Sequence, residues 1–539
     1  MGTASEIPRQ RTSHSQRTDP SSRTAQANQA DASADETSFV VLDGAGLDAD
    51  AVARLADHRA VPIAPPEAAA RAEHSWHTAR ELAAAGRMYG RDTGVGANRM
   101  VFLSEEDRVG QDLRLLRSHA GGVGALLPTR QVRAMLAVRA NQVLAGGSGL
   151  QPAMAQALIE ALRLGVHPAV NEFGAVGTGD LTALAQTGLT VIGERPWLSD
   201  EGVLRPAGAD GPAAEGGAAL AVPAPVVPAH GDALALMSSN ALTLGQAALV
   251  CHDIDILLRA SHAVAALSLA AVAGSMEAYA APVHAVRPYP GVVHAAAEVR
   301  RLLGAPERPR ATGRRIQDPF GFRAFPQAHG PALEAATALR SILAVEINCP
   351  SENPLISDDG PDGAPAAYHH GGFFAAPLAL ALDQLCLAVL QTGQLAAARL
   401  SAFGDPDITG LRSFLAEGPA GSSGMMILEY SANSALAEIR ACAMPASSGH
   451  TVLSRGLEEA ASFASQGVRQ AIRAVDAYRL VLACELVAAV RALRQHPAPP
   501  PAAPVFAVLD GGLSPLAEDR PLSADVAAAA DLLPTLAAL

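Results

Sequence analysis

The residues best suited to chemistry lie on glycine-rich segments between long apolar stretches. Tyr89 begins one such segment, Tyr89-Gly90-Arg91-Asp92-Thr93-Gly94-Val95-Gly96. Glycines allow a chain to move, and a tyrosine that has lost its proton is a strong base. On this segment alone, a turn with one half-buried tyrosine is the simpler interpretation. Tyr89 is therefore a candidate base that needs support from elsewhere in the chain.

Two further glycine-rich segments follow. His119 precedes the run Gly121-Gly122-Val123-Gly124 and either contacts a ligand or is a structural histidine with satisfied hydrogen bonds, which is the commoner case. Gly177, Thr178 and Gly179 form a segment that can bend tightly, and a helix that begins near Asp180 would direct its positive end at it. That segment is either an anion site or a simple turn.

Arg323 is the candidate anion-binding residue. It lies between Gln317 and Gln327 among apolar residues, a setting that suits bidentate capture of a carboxylate and also suits an arginine that caps a helix. The adjacent His369 and His370 suggest a metal, but neither an HExxH pattern nor a second ligand cluster accompanies them. No metal site is expected.

Composition excludes several classes of protein. The 539 residues carry a net charge of −13, and because the sequence contains no lysine, all 40 basic residues are arginine. A pyridoxal-phosphate enzyme and a Walker P-loop both need a lysine. No basic patch indicates nucleic-acid binding. The five cysteines form no CxxC pair, which favours a reduced cytoplasm, and the apolar runs are too short or too interrupted to cross a membrane.

The elements that must position these residues are mostly helices. We expect a disordered tail at 1–37, an N-terminal region with active-site loops at 38–230, a central helical bundle at 231–496 and a Pro/Ala-rich, linker-like or loosely helical tail at 497–539. The segment 374–402 is apolar on nearly every face, so we expect it to be buried deep in the bundle. The other expected helical stretches are 232–280, 331–348, 428–443 and 456–495. A short strand and turn are expected from Phe39 to Gly44.

Taken in order, five segments resemble the histidine/phenylalanine ammonia-lyase superfamily. Residues 89–96 resemble its YGxxTGFG loop, 118–124 its SHAAGVG, 317–327 its QDxYxxRxxPQ and 351–355 its SDNPL, while 177–181 stand where the family has ASGDL. Each motif is weak, but five in one order are specific, and the resemblance runs from about Leu42 to about Leu493. It implies a mainly α fold and a homotetramer whose active sites each draw on three subunits.

The resemblance also implies an activity and a cofactor. Members of this superfamily eliminate ammonia from an α-amino acid or move it to the β carbon. They use a methylidene-imidazolone that forms when an Ala-Ser-Gly tripeptide cyclises and its serine loses water. Such an electrophile would replace the pyridoxal that a chain without lysine cannot hold.

Three positions depart from the family pattern. Gly177-Thr178-Gly179 stands in place of Ala-Ser-Gly, Ser238 aligns with the asparagine that supports the cofactor, and Phe320 aligns with the tyrosine of QDxYxxR. Threonine can dehydrate to an ethylidene analogue, but its methyl group would crowd the electrophilic carbon. Three changes around one group indicate that the pocket is used differently.

The remaining site positions come from the resemblance. Tyr89 matches the catalytic base and Arg323 matches the arginine that binds the substrate carboxylate. Three residues favour the histidine-type branch of the superfamily: His119, Met426 and Glu458. The other expected lining positions are Ser238, Gln317, Phe320, Asn353 and Phe373.

These observations favour an enzyme that acts on an α-amino acid or a related small carboxylate. In the leading hypothesis, Tyr89 removes a proton and elimination follows without a standard methylidene-imidazolone, with Thr178 contributing its hydroxyl. One alternative is a conventional ammonia-lyase or aminomutase of the histidine type with an imidazolone derived from residues 177–179. The other is a non-catalytic relative that binds a small acid.

Overall fold

Long helices dominate the computed structural model, which describes residues 38–86, 88–200, 202–204, 221–311, 315–496, 505, 512–516 and 518–539. The expected tail at 1–37 and most of 497–511 lie outside the described residues. The helices are α1 Ala49–Ala56, α2 Pro66–Ala85, α3 Glu105–Arg108, α4 Gln111–His119, α5 Thr129–Leu144, α6 Pro152–Leu164, α7 Leu181–Val191, α8 Asp232–Met237, α9 Ala241–Ala271, α10 Ala281–Ala285, α11 Pro290–Leu302, α12 Phe320–Arg323, α13 Phe325–Glu346, α14 Ala376–Ala402, α15 Pro406–Thr409, α16 Met426–Cys442, α17 Ala464–Gln495 and α18 Ser523–Ala537.

The strands are short and form small separate sheets. Their bounds are β1 Phe39–Val41, β2 Val61–Ile63, β3 Val123–Leu126, β4 His167–Pro168, β5 Asn171–Phe173, β6 Trp197–Ser199, β7 Gly202–Leu204, β8 Leu355–Ser357 and β9 Ala366–Tyr368. Strands β1 and β2 pair in parallel, and the pairs β3–β5, β4–β6, β6–β7 and β8–β9 are antiparallel. The expected strand and turn near Phe39 are confirmed, since the Asp43 carboxylate accepts the backbone N–H groups of Ala45 and Gly46. Short 3-10 turns complete the chain at Gly96–Asn98, Met276–Tyr279, Pro361–Gly363, Ser413–Leu415, Ala446–Ser448 and Ser454–Gly456.

The core of the molecule is a bundle of α9, α13, α14, α16 and α17, with α5 packed against α9. Alanine and leucine fill it, and small alanine side chains allow helices to approach closely. Two apolar stretches, Asp232–Ala271 and Ala376–Ala402, are long enough to cross a bilayer by composition alone, but most of each is buried inside the protein. The expectation that the apolar runs are too short or too interrupted to cross a membrane is therefore wrong for the length of these two stretches, and their burial explains them as core helices. The mainly α fold expected from the sequence is confirmed.

The structure divides the chain differently from the expected regions. Residues Phe39–Leu539 form one compact unit, so the N-terminal region and the bundle share a core. Within the expected C-terminal tail, α18 packs against α9 and α17 and buries Leu533 and Leu536. The part of 497–539 that the structure describes thus includes a packed helix.

Two expectations about the helices need correction. The stretch 232–280 is not one helix, because it is interrupted at 238–240 and its second helix ends at Ala271. The interruption contributes contacts to the site described below. The expectation that 374–402 is deeply buried on every face is wrong at two positions of the single chain. Leu380 is 62% exposed and Leu387 is 46% exposed. One face of α14 therefore remains apolar and uncovered in the single chain.

Candidate active site

Tyr89 lies in a loop between α2 and α3, where its phenol oxygen is held in place. The backbone N–H of Gly96 donates to that oxygen at 2.8 Å, and the Tyr89 N–H donates to His369 Nε2 at 3.4 Å. The N–H from Gly96 occupies one lone pair and leaves the phenol proton free to face the surrounding space. The rings of Tyr89 and His369 meet edge to face, with centroids 6.5 Å apart.

The loop that carries Tyr89 is anchored by buried contacts. Gly90 has φ +73°, and a Cβ built there would lie 2.0 Å from Leu234 Cδ2, so only glycine lets the loop lie this close to α8. The buried guanidinium of Arg91 donates to the carbonyls of His230 and Gly149. These contacts restrict the motion of the loop, although its glycines would allow a free segment to move.

Glu458 lies in a hairpin that packs against the tyrosine loop. The backbones of Leu453 and Glu458 pair with each other, and Ser454 Oγ accepts the N–H of Ala97 at 2.9 Å. The structure thus packs the hairpin that carries Glu458 against the Tyr89 loop through Ser454, and the role of Glu458 stays a prediction.

The segment from Gly177 to Gly179 bends tightly just before α7. Gly177 has φ +90° and Gly179 has φ +115°, values that L side chains rarely adopt. Helix α7 begins at Leu181, directly after the bend, as the sequence predicted. The buried carboxylate of Asp180 accepts the N–H and the hydroxyl of Thr243, and burial raises the pKa of Asp180 to about 6.

The start of α17 holds the other side of this bend. The N–H of Phe463 donates to the carbonyl of Val176 at 2.8 Å, and the Ser462 hydroxyl donates to the carbonyl of Gly177 at 2.9 Å. One residue earlier in the bend, the Ser465 hydroxyl donates to the carbonyl of Ala175 at 3.0 Å. Three consecutive carbonyls are therefore fixed by residues 462–465.

Residues 238–240, where the stretch of helix is broken, connect the bend to the other lining positions. The N–H of Asp180 donates to the carbonyl of Ser239 at 2.7 Å, and Asn240 Nδ2 donates to the carbonyl of Phe373 at 2.7 Å. Ser238 Oγ accepts the N–H of Asn353 at 3.1 Å. This break is what places Ser238, Asn353 and Phe373 beside the Gly-Thr-Gly bend.

Asn353 completes this group near the tyrosine. Its Oδ1 accepts the N–H of His370 at 2.9 Å, and His370 Nε2 lies 2.7 Å from the carbonyl of Glu352. Tyr89 and Asn353 line the same small cavity, together with Glu352. His369 and His370 thus have structural partners that connect the tyrosine loop to the segment around Asn353.

His119, the last residue of α4, lies on the same side of the molecule but outside this set of contacts. Its Nδ1 lies 3.0 Å from the Leu115 carbonyl, which makes it a histidine with a local partner. Three residues further on, a Cβ at Gly122 would meet Thr182 and Gln186 of α7. The loop after His119 therefore packs beside the first turns of the helix that follows the bend.

Arg323 lies at the other end of the bundle. Its guanidinium carbon is 4.3 Å from the centre of the Phe320 ring, and its buried Nε has no hydrogen-bond partner among the described residues. Two residues earlier, the carbonyl of Gly321 accepts from Arg399, near the end of α14. Since α14 starts just after Phe373, the rise of about 1.5 Å per residue puts Arg399 about 35 Å from the start of this helix. Exposed Gln317 lies at the Arg323 end, as does Phe320, which is 64% exposed.

Met426 lies far from the bend as well. The residue before it, Met425, donates to the Phe414 carbonyl, and the next carbonyl, of Leu415, accepts from Arg491 near the end of α17. The opposite end of α17 holds the bend, about 40 Å away at about 1.5 Å per residue. A single chain therefore does not bring Tyr89 and Arg323 into one cavity.

The contacts around the bend fit an imidazolone made from residues 177–179 in its backbone but not in its expected side-chain support. A Cβ at Gly177 would lie 2.2 Å from Ser462 Oγ and 2.8 Å from the Phe463 nitrogen, so the cradle is shaped around a glycine. The positive φ angles of Gly177 and Gly179 and the hydrogen bond to the Gly177 carbonyl are compatible with a backbone in which residues 177–179 close into a ring. The expected side-chain support differs, because the hydroxyl of Ser238 accepts from the Asn353 backbone.

Comparison with known proteins identifies the class to which this fold and site belong. The family model described as "Aromatic amino acid lyase" matches residues 47–510. Histidine ammonia-lyase from Streptomyces avermitilis is 32% identical over 454 residues, covering 82% of this chain and 86% of that protein. Among solved structures, histidine ammonia-lyase from Trypanosoma cruzi has a TM-score of 0.81 at 25% identity, covering 92% of this chain and 93% of that one. Tyrosine aminomutase from Streptomyces globisporus has a TM-score of 0.81 at 26% identity, covering 92% and 97%.

The protein is thus a carbon–nitrogen lyase with a helical fold. More specifically, the chain belongs to the aromatic amino acid lyase family, as its motifs indicated.

Residues that the sequence analysis missed lie at the start of α17 and at the break in 238–240. Ser462 and Ser465 contact the bend directly, and their signal was available, because serines at the start of a long helical stretch commonly act as caps. Asn240, whose side chain fixes Phe373, carried no comparable signal.

Proposed function

We propose that this protein eliminates the amino group, or a related leaving group, from an α-amino acid or similar small carboxylate. Tyr89 takes a proton from the carbon next to the leaving group, and Arg323 binds the substrate carboxylate. The position of the Tyr89 oxygen, fixed by the Gly96 N–H at 2.8 Å, supports the first role. The relatives named histidine ammonia-lyase make a histidine-like side chain the first substrate class to test.

The two roles require more than one subunit. Because Tyr89 and Arg323 lie at opposite ends of the bundle, we propose a homotetramer in which a neighbouring subunit supplies the arginine. The exposed apolar side chains of the bundle support this arrangement, since a surface of that kind is typical of an interface. They are Leu380 and Leu387 of α14 and Ile427 and Tyr430 of α16.

Phe320 gives the arginine a particular setting. A guanidinium stacked on a phenyl ring keeps its N–H edge free, and that edge can bind a carboxylate through two parallel hydrogen bonds. The family tyrosine at this position is thus replaced by a side chain that supports Arg323 without adding a hydroxyl.

Replacement of Tyr89 tests the proposed base. We expect Tyr89→Phe to reduce kcat by about 10² to 10⁴-fold with a small change in KM, because general-base catalysis contributes about that much. The measurement is release of ammonia and of the unsaturated acid over a panel of aromatic and imidazole amino acids. Tyr368→Phe, at an exposed tyrosine of β9, is the matched control. Undiminished turnover by Tyr89→Phe would exclude the mechanism.

The source of the electrophile separates the two forms of this function. The first form, which the sequence favours, runs without the standard methylidene-imidazolone, because Thr178 replaces the serine that would dehydrate. The second form uses an imidazolone derived from threonine, which would activate the amino group as a leaving group. The hydrogen bond to the Gly177 carbonyl favours this second form, and the intact mass of the purified chain decides between them.

A further inference from the structure

We infer that Ser462 activates the Gly177 carbonyl for closure of residues 177–179 into a ring. This inference rests on the second form of the proposed function and assigns a role to a residue outside the motifs. It is carried by the hydrogen bonds of Ser462 and by the backbone around them.

The direction of the Ser462 hydrogen bond is fixed by its partners. Ser462 Oγ accepts the N–H of Ala464 at 3.3 Å and lies 2.9 Å from the Gly177 carbonyl oxygen. A carbonyl oxygen cannot donate, so the only hydroxyl proton points at Gly177. The N–H of Ala464, the hydroxyl and the carbonyl form a chain in which each bond polarises the next.

The surroundings strengthen this donor. Ser462 is 4% exposed, so little water competes for the carbonyl. The next residue, Phe463, has φ +54° and ψ +21°, a left-handed conformation that a phenylalanine rarely adopts. That conformation turns the Phe463 N–H onto the Val176 carbonyl and places the serine over Gly177. The positive end of α17, a helix of 32 residues, lies at the same point.

The chemistry needs no oxidant. The Gly179 nitrogen attacks the Gly177 carbonyl carbon, and a new N–C bond forms while negative charge develops on the Gly177 oxygen. That oxygen then leaves as water with the protons of the Gly179 and Thr178 nitrogens, which gives a C=N bond. A second water molecule is then lost, formed from the Thr178 hydroxyl on Cβ and the Thr178 proton on Cα, and a C=C bond between Cα and Cβ results. The Ser462 hydroxyl stabilises the oxygen that becomes charged, as a donor of an oxyanion hole does.

Intact-mass spectrometry of the full chain tests the inference without measuring turnover. The chain is made by cell-free synthesis and sampled with time. We expect the wild-type chain to lose two waters, and we expect Ser462→Ala to lose them about a hundredfold more slowly, the usual cost of removing one oxyanion donor. Ser462→Thr keeps the hydroxyl and should restore the rate. Ser341→Ala, which removes an exposed hydroxyl that is hydrogen-bonded within α13 and lies outside the bend, is the matched control and should behave as wild type.

Two results would overturn the inference. One is loss of both waters by Ser462→Ala at the wild-type rate. The other is a wild-type chain that keeps both waters throughout, and in that case turnover that depends on Tyr89 would still support the proposed elimination. If Ser462→Ala is insoluble, Ser462→Cys keeps the volume with a weaker donor. Its rate should lie between those of the other two variants, and a wild-type rate would again contradict the inference.

Discussion

Two neighbouring arginines differ in how completely the protein itself pairs their guanidinium groups. The Arg399 guanidinium is fully buried and paired with both oxygens of Glu485. Arg323, close to it in the fold, instead stacks on Phe320, and its Nε has no hydrogen-bond partner among the described residues. A half-buried cation that the chain leaves incompletely paired is the kind of group that recognises an anion. The carboxylate role of Arg323 is therefore supported by its contacts as well as by its position in a motif.

Substitution of Arg323 should affect substrate binding most. We expect Arg323→Leu to raise KM by about 10² to 10³-fold, because a charge-assisted bidentate contact is worth about 3 to 4 kcal/mol when both bonds are lost. Arg323→Lys should recover only part of the loss, since a lysine cannot make the two parallel bonds. Steady-state kinetics provide the measurement, with the exposed Arg310→Leu as control. An unchanged KM for Arg323→Leu would remove this residue from the site.

At the scale of elements, the bend between β5 and α7 is fixed by three separate parts of the chain. Residues 462–465 hold its carbonyls, Ser239 accepts the N–H of Asp180, and Thr243 at the start of α9 donates twice to the Asp180 carboxylate. Since these contacts come from distant segments, the conformation of the bend depends on the assembled bundle. Asp180 is the one charged group in this network of contacts, which makes its ionisation a probe of how the bend is held.

Asp180 should give stability a defined dependence on pH. Its pKa in the fold is raised to about 6 by burial, so the folded chain binds the proton more tightly than the unfolded chain does. Its contribution therefore falls as pH rises from about 4 to about 6, by about 3 kcal/mol at about 1.4 kcal/mol per pKa unit. Asp180→Asn removes this slope. In urea unfolding across this range, the free energy of unfolding of the wild type should fall by about 3 kcal/mol relative to that of Asp180→Asn as pH rises, whereas parallel pH dependences would contradict the raised pKa.

The sequence predicted the helices better than their interruptions. Apolar Ala- and Leu-rich stretches identified the bundle, because a segment such as 374–402 can be stable only against other apolar surfaces. The break at 238–240 was not predictable, since Ser239 and Asn240 leave the helix to bond with Asp180 and Phe373, which are distant in sequence. Likewise α17 begins at Ala464 rather than near 456, because the preceding residues form the hairpin against the tyrosine loop.

Local motifs predicted which residues belong to the candidate site but not how those residues are distributed over the fold. Tyr89, Asn353 and Phe373 were identified from their segments, and the structure brings them to one end of the bundle. Arg323 and Met426 were identified in the same way, yet they lie at the other end. No local pattern reports which subunit a residue faces, since that depends on how whole chains assemble. Ser462 carried a local signal as a serine near the start of a helix, but its contact with Gly177, which is 285 residues away in sequence, was not predictable from that signal.

At the scale of the whole molecule, the single chain is incomplete in two ways that have one explanation. Its site residues are divided between the two ends of the bundle, and the helices between those ends expose apolar side chains such as Leu380 and Ile427. Association of chains that covers this face would bury those side chains and bring the end of one bundle towards the other end of another. The proposed tetramer therefore predicts that neither end is active without a neighbour.

Mixing two inactive variants tests that prediction directly. Tyr89→Phe and Arg323→Leu chains, each expected to keep about a hundredth or less of wild-type activity when substrate is far below KM, are co-expressed in equal amounts so that subunits assort at random. If each site takes its tyrosine and its arginine from different chains, about a quarter of the sites receive both intact residues, and about a quarter of wild-type activity returns. If both residues came from one chain, every site would carry one of the two substitutions and no activity would return. Mixing the two purified variants after assembly is the control, and without subunit exchange it should show only the residual activity of the two variants. Light scattering on the same samples reports the number of subunits, so that a failure to assemble is distinguished from a site contained within one chain.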